Sequence, residues 1–232
     1  MTAPLGPGTF VAVVGASGVG KDALLGAARA ACGDAALFPR RAITRPPGPG
    51  EDFDSLSEAE FKSAAARGAF AVSWRAHGLR YGIPVTADDA IRRGLPVVAN
   101  VSRGAIGHLE ERYEHVRVVR ITVSDEVRAE RLLRRGRESG EGIARRLERA
   151  DPAPERVADL EIRNDGTVAE GSALLLRMIA STIATLPSTA RHGMEPAWPP
   201  RPPRPSRRSH PASAWSRALS AGTRRSAPRR GS

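Results

Sequence analysis

Eight residues limit what this chain can fold into. Gly15-Ala16-Ser17-Gly18-Val19-Gly20-Lys21-Asp22 follows the apolar run Thr9–Val14 and opens a helical pattern from about Lys21 to Ala31. Strand, glycine loop and helix in that order make a phosphate cradle. The glycines let backbone amides converge on phosphate oxygens, the helix N-terminus adds partial positive charge, and a lysine reaches the β and γ oxygens. The residue after the lysine ordinarily offers Mg²⁺ a Ser or Thr hydroxyl; here it is Asp22. Its carboxylate is also a hard oxygen ligand, able to hold Mg²⁺ directly or through a water. The simpler alternative is an acid favoured by the first turn of a helix.

Around the loop the chain alternates short β-branched runs with longer Ala/Leu/Arg helical patterns, which predicts an α/β fold: a parallel sheet flanked by crossover helices. Ser57-Glu58-Ala59-Glu60 fits a capping box opening a helix that ends near Gly68. Strands are expected at Ala69–Trp74, Val97–Val101, Arg117–Val123 and Asp159–Arg163. Helices are expected over Thr86–Arg93, after the cap Ser124, and over Val168–Leu186, the last following an Asn164-Asp165-Gly166 turn.

From Pro187 onward the character changes. Nine of the 19 prolines lie there, and residues 191–232 hold ten Arg against one acid, so +9 of the formal +11 belongs to that last stretch. With no apolar period it cannot bury enough surface to offset its ordering entropy. The expected organisation is a domain over residues 1–190 and a disordered Arg/Pro/Ser-rich tail over 191–232. The tail allows nucleic-acid binding through counterion release, but a basic low-complexity extension is the plainer reading, and nucleic acid is not the expected partner.

Composition excludes several classes. The single cysteine, Cys32, makes neither an internal disulfide nor a thiolate metal site and reads as a small buried residue. The N-terminal apolar run is too short for a signal peptide or a membrane span, so no membrane partner and a reducing cytoplasm are expected. His77, His108 and His115 stand at no ligand spacing.

With these residues in view, the chain resembles the guanylate kinase superfamily of P-loop kinases, and within it the ribose 1,5-bisphosphate phosphokinases. The similarity runs from about Thr9 to Leu186. It rests on the glycine loop with Asp after its lysine, and on Ile43-Thr44-Arg45-Pro46, Phe70-Ala71-Val72-Ser73-Trp74, Gly78-Leu79-Arg80-Tyr81-Gly82, Asn100-Val101-Ser102-Arg103, Arg135-Gly136-Arg137-Glu138, Arg146-Leu147 and Asn164-Asp165-Gly166. The resemblance implies a P-loop NTPase-type fold with an Arg-rich lid over 131–149. It implies ATP and Mg²⁺ as donor and metal, and a phosphoryl transfer to ribose 1,5-bisphosphate that yields 5-phosphoribosyl 1-diphosphate in phosphonate breakdown. A nucleoside monophosphate kinase, or a non-catalytic binding module of the same fold, are the competing readings.

Site residues carried over by the resemblance divide into two groups. Gly15 to Asp22, Arg137 and Asn164 would serve ATP, with Lys21, Arg135 and Arg146 stabilising the transferring phosphoryl group. Arg45 and Tyr81 would hold the acceptor phosphate, and Ser102 belongs to the acceptor site. Arg41 and Arg103 are further cations assigned here to a second acceptor phosphate, because Gly48 replaces an arginine expected three residues after Arg45. Guanylate kinases read guanine with a Glu and with an Asp at a strand end. Val72 and Ser102 stand at those places, so the acceptor site lacks both carboxylates and suits a substrate without a base.

Overall fold

The structure is a computed structural model and describes residues 3–48, 51–134 and 157–184. In chain order its elements are β1 (Leu5–Val14), α1 (Lys21–Cys32), β2 (Ala42–Ile43), β3 (Asp54–Ser55), α2 (Glu58–Ala66), β4 (Phe70–Ala76), β5 (Leu79–Pro84) and α3 (Thr86–Arg92). They continue with β6 (Val97–Asn100), α4 (Ile106–Arg112), β7 (Tyr113–Thr122), α5 (Asp125–Arg134), β8 (Leu160–Arg163) and α6 (Val168–Ala184).

β1 is continuously apolar because both of its faces are covered. Phe10, Ala12 and Val14 pack toward the cluster that includes Ala87, Ile91 and Leu109 of α3 and α4. Val11 and Val13 pack toward Leu24, Ala28, Leu175 and Ile179 of α1 and α6. A strand buried on both faces belongs in a parallel sheet, and here the order is β6-β1-β7-β8, every pair parallel. Val13 sits opposite Asn100 and Val14 opposite Arg120, so the ends of β6 and β7 flank the glycine loop as it leaves β1.

A second sheet, β3-β2-β5-β4, is mostly antiparallel. Only β4 of its four strands was expected from sequence. β2 and β3 have two residues each, too few to show a period, and Gly82 and Pro84 mask the alternation of β5. The β4–β5 hairpin turns at His77 and Gly78, with φ of 51° and 76°.

Local signals account for most boundaries. Ser57 and Glu60 form the expected capping box, the Glu60 amide donating to Ser57 Oγ at 3.2 Å and the Ser57 amide to Glu60 Oε2 at 2.7 Å. A second box, between Thr167 and Glu170, opens α6. β1 starts four residues earlier than the apolar run indicated. Gly8 belongs to it because a Cβ there would lie 2.6 Å from the Leu95 carbonyl oxygen. Cys32 is buried as expected, and burial pushes its thiol up to about 11. No helix among the described residues is long and apolar enough to cross a membrane.

Candidate functional site

The loop's conformation explains its glycines. Gly15, Gly18 and Gly20 have φ of 149°, 91° and 91°, a region that L side chains avoid. A Cβ on Gly15 would collide with the Ile121 carbonyl, and one on Gly20 would lie 2.5 Å from Asn164 Nδ2. Lys21 folds back over the loop and donates from Nζ to the Gly15 and Ala16 carbonyls at 2.7 and 2.8 Å.

Three further side chains hold the loop from below. Asn164 Nδ2 donates to the Val19 carbonyl at 2.8 Å. Arg131 of α5 donates to the same carbonyl at 3.3 Å and to the Asn164 carbonyl at 2.9 Å. Arg128 Nε reaches the Ser17 carbonyl at 3.2 Å. Asn164 is 3% exposed, so its side chain serves the loop's backbone. Asp165 ties the same turn to the residue before α5, accepting from the Ser124 amide at 2.7 Å. Arg163, and then that amide, hold its carboxyl below the usual range.

At the end of the loop, Asp22 comes within electrostatic reach of Arg41 and Arg45, which also interact with Tyr81 and Glu51. Arg41 lies among the other four, and burial lowers its guanidinium below the ordinary value. Arg45 donates to Glu51 Oε2 at 2.7 Å and stacks 4.6 Å from the centre of the Phe53 ring. That hydrogen bond is the main cause of its raised pKa. The Gly48 amide, where a second arginine was expected, also donates to Glu51 Oε2, at 2.8 Å. Asp22 Oδ1 accepts from Asn100 Nδ2 at 3.1 Å, which joins the first turn of α1 to the end of β6.

Ser102, just past β6, accepts from Trp74 Nε1 at 2.8 Å. Trp74 stacks on Tyr81 with centroids 5.4 Å apart and planes 9° apart. Val72 is 5% exposed. Arg103 lies beside Arg120, and burial followed by that like charge lowers its pKa. The structure thus brings together the loop, Asp22, Arg41, Arg45 and Tyr81, with Ser102 joined to Tyr81 through Trp74. Arg135, Arg137 and Arg146 lie outside the described residues. Glu51, Arg120 and Arg128 were not singled out from sequence; Asn100 entered only within a family segment, and Arg131, expected at the start of the lid, lies in α5 and holds the loop's backbone. A cavity of about 500 Å³ is lined by Leu5, Val72, Arg92, His108 and Arg112 among others; position 72 borders it, and none of the residues assigned to ATP or to the acceptor phosphates does.

A glycine loop at the carboxyl end of a central parallel strand, facing a cluster of arginines on a small antiparallel sheet, is the build of a P-loop kinase. A guanylate kinase structure from Anaplasma phagocytophilum shares this fold, with a TM-score of 0.55 over 78% of this chain and 88% of that one at 20% identity. No protein-family model matches the chain. Over 179 residues it is 59% identical to the ribose 1,5-bisphosphate phosphokinase PhnN of Pseudofrankia inefficax, covering 77% of this chain and 94% of that protein. A protein of the same description from Brucella melitensis is 53% identical over 152 residues, 64% of this chain and 79% of that protein. The chain belongs to the ribose 1,5-bisphosphate phosphokinase family.

Proposed function

We propose that the chain transfers the γ-phosphate of ATP to ribose 1,5-bisphosphate. An oxygen of the sugar's 1-phosphate attacks the γ-phosphorus, the bond to the ADP oxygen breaks, and 5-phosphoribosyl 1-diphosphate and ADP leave. One observation carries the reading: where guanine recognition calls for two carboxylates, this chain has a buried Val72 and a Ser102 whose oxygen already accepts from Trp74. The relatives' description supports the same substrate.

Phosphoryl transfer asks the protein for position and charge more than for covalent chemistry. Lys21 and the loop amides from Gly15 to Gly20 take the donor phosphates, and Asn164, Arg128 and Arg131 hold that backbone in shape. Arg41, Arg45 and Tyr81 hold one acceptor phosphate, while Arg103 and Ser102 take the sugar's other oxygens. Arg135, Arg137 and Arg146 are assigned to the closing lid.

No group of three or more His, Cys, Asp or Glu side chains is placed to hold a metal among the described residues. That suits Mg²⁺, which is commonly bound by one or two carboxylates plus substrate phosphates. Asp22 fits the part, since it lies beside the loop lysine and Asn100 engages only one of its oxygens among the contacts described. Bound there, Mg²⁺ would neutralise charge developing on the donor phosphates. Residues 1–190 form the catalytic domain in this reading and 191–232 a dispensable basic tail. The test is ATP-dependent consumption of ribose 1,5-bisphosphate followed by coupled ADP detection; one ADP should appear per sugar consumed, and no ADP release with folded protein overturns the reading.

A further inference from the structure

Trp74 stands between two of the residues assigned above to the acceptor. Its indole is 7% exposed, one face lies on Tyr81, and its Nε1–H donates to Ser102 Oγ. An indole N–H can only donate. In that bond the Ser102 oxygen is therefore the acceptor, and the hydroxyl's own proton is left to be given elsewhere. One of the hydroxyl's two lone pairs is thus occupied, which tilts Ser102 toward donating to its surroundings. Phosphate and sugar oxygens can accept from it, whereas the N–H edge of a base finds a single remaining lone pair where a carboxylate would offer several.

The ring also takes up room. An indole is a planar fused bicycle of nearly the dimensions of a purine, and here it lies stacked on the face of Tyr81. Its backbone is fixed by the β4–β5 ladder, in which Trp74 pairs with Tyr81, so the ring is part of the scaffold.

We propose that Trp74 is a specificity-determining residue: its indole fills the space a nucleobase would need at the acceptor site and, by occupying one Ser102 lone pair, biases that hydroxyl to donate toward an oxygen-rich acceptor. This rests on the acceptor-site assignment made above and deepens it.

Two variants of the full chain test the two halves. Trp74→Ala leaves a flat, largely apolar cavity, and such cavities bind matching small molecules. Calorimetry or ligand-observed NMR should detect free indole binding to Trp74→Ala and not to the parent. Added indole should recover most of a tenfold or greater loss in kcat/KM for ribose 1,5-bisphosphate. Trp74→Phe keeps a ring on Tyr81 and removes only the N–H, so KM for the sugar bisphosphate should rise severalfold with kcat within twofold.

A folded Trp74→Ala that binds no indole overturns the space-filling role. A Trp74→Phe variant with unchanged KM overturns the donor role, and carries the test alone if Trp74→Ala does not fold. Indole binding is read without any acceptor. It therefore survives an error in the substrate assignment, which would show instead as parent protein inactive on the sugar bisphosphate.

Discussion

Replacing Asn164 by alanine separates holding the loop from holding the fold. The side chain is 3% exposed and contributes one hydrogen bond of 2.8 Å to the Val19 carbonyl. That carbonyl keeps a second donor, Arg131 Nη1 at 3.3 Å, so it is not orphaned by the change. Asn164 Oδ1 is buried with no hydrogen-bond partner among the described residues, and deleting it returns part of its desolvation cost. The net loss of stability is then about 1 kcal/mol, the worth of one ordinary hydrogen bond. In a domain of this size that lowers Tm by about 2–4 °C.

Nucleotide binding should suffer more. With Val19 held only by the longer contact, at least one loop residue must be re-ordered on binding, at about 1–2 kcal/mol. That weakens affinity roughly 5- to 30-fold. Thermal melting and titration of a fluorescent ADP analogue read the two effects on the same protein. A Tm drop of the expected size with Kd within twofold of the parent refutes the reasoning, because Asn164 would then be an ordinary buried residue.

Other perturbations separate site from scaffold. Lys21→Ala removes the charge facing the donor phosphates and should cut turnover by roughly 100- to 1,000-fold or more, with the fold retained by circular dichroism; near-normal kcat contradicts the loop assignment. Asp88 is 1% exposed as a side chain and receives Arg112 and, at 2.9 Å, the Tyr113 hydroxyl. Because Arg112 is 37% exposed and can return to water, Asp88→Ala should cost about 3 kcal/mol, the low end for a broken buried pair, or roughly 6–12 °C in Tm. The double variant with Arg112→Ala should lose less than the sum of the singles. Removing 191–232 strips +9 of formal charge, so the shortened protein should elute much earlier from a cation exchanger with kcat and Tm unchanged; lost activity in a folded protein shows that the tail takes part.

Which features were legible from sequence follows from how far apart the interacting residues lie. β1, the glycine loop and α1 were readable because strand run, glycines and helix are adjacent. The α2 cap was readable because Ser57 and Glu60 lie three apart. The Thr167–Glu170 box carried the same Thr-x-x-Glu signal and could have been found the same way. β2 and β3 were hidden because two-residue strands have no period and exist only through their partners.

In the site, Arg45 and Tyr81 were found through resemblance, and Arg41 as an extra cation near them. Contacts across the fold were not: Trp74 meets Ser102 from 28 positions away, Asp22 meets Asn100 from 78, and Asn164 meets Val19 from 145. Asn164 shows the difference most plainly. The resemblance assigned it to ATP, and its side chain is buried against the phosphate loop's own backbone, a contact that no local pattern signals.

The central claim is that a guanylate kinase fold has been refitted for an acceptor without a base. Its most direct test supplies Mg²⁺ and ATP to the full chain, in parallel with ribose 1,5-bisphosphate and with GMP, and follows ADP release while phosphorus NMR identifies the product. The account predicts a new diphosphate signal from the sugar and none from GMP. Turnover of GMP with the sugar bisphosphate inert would contradict it, and would mean that guanine is read by residues other than those at positions 72 and 102.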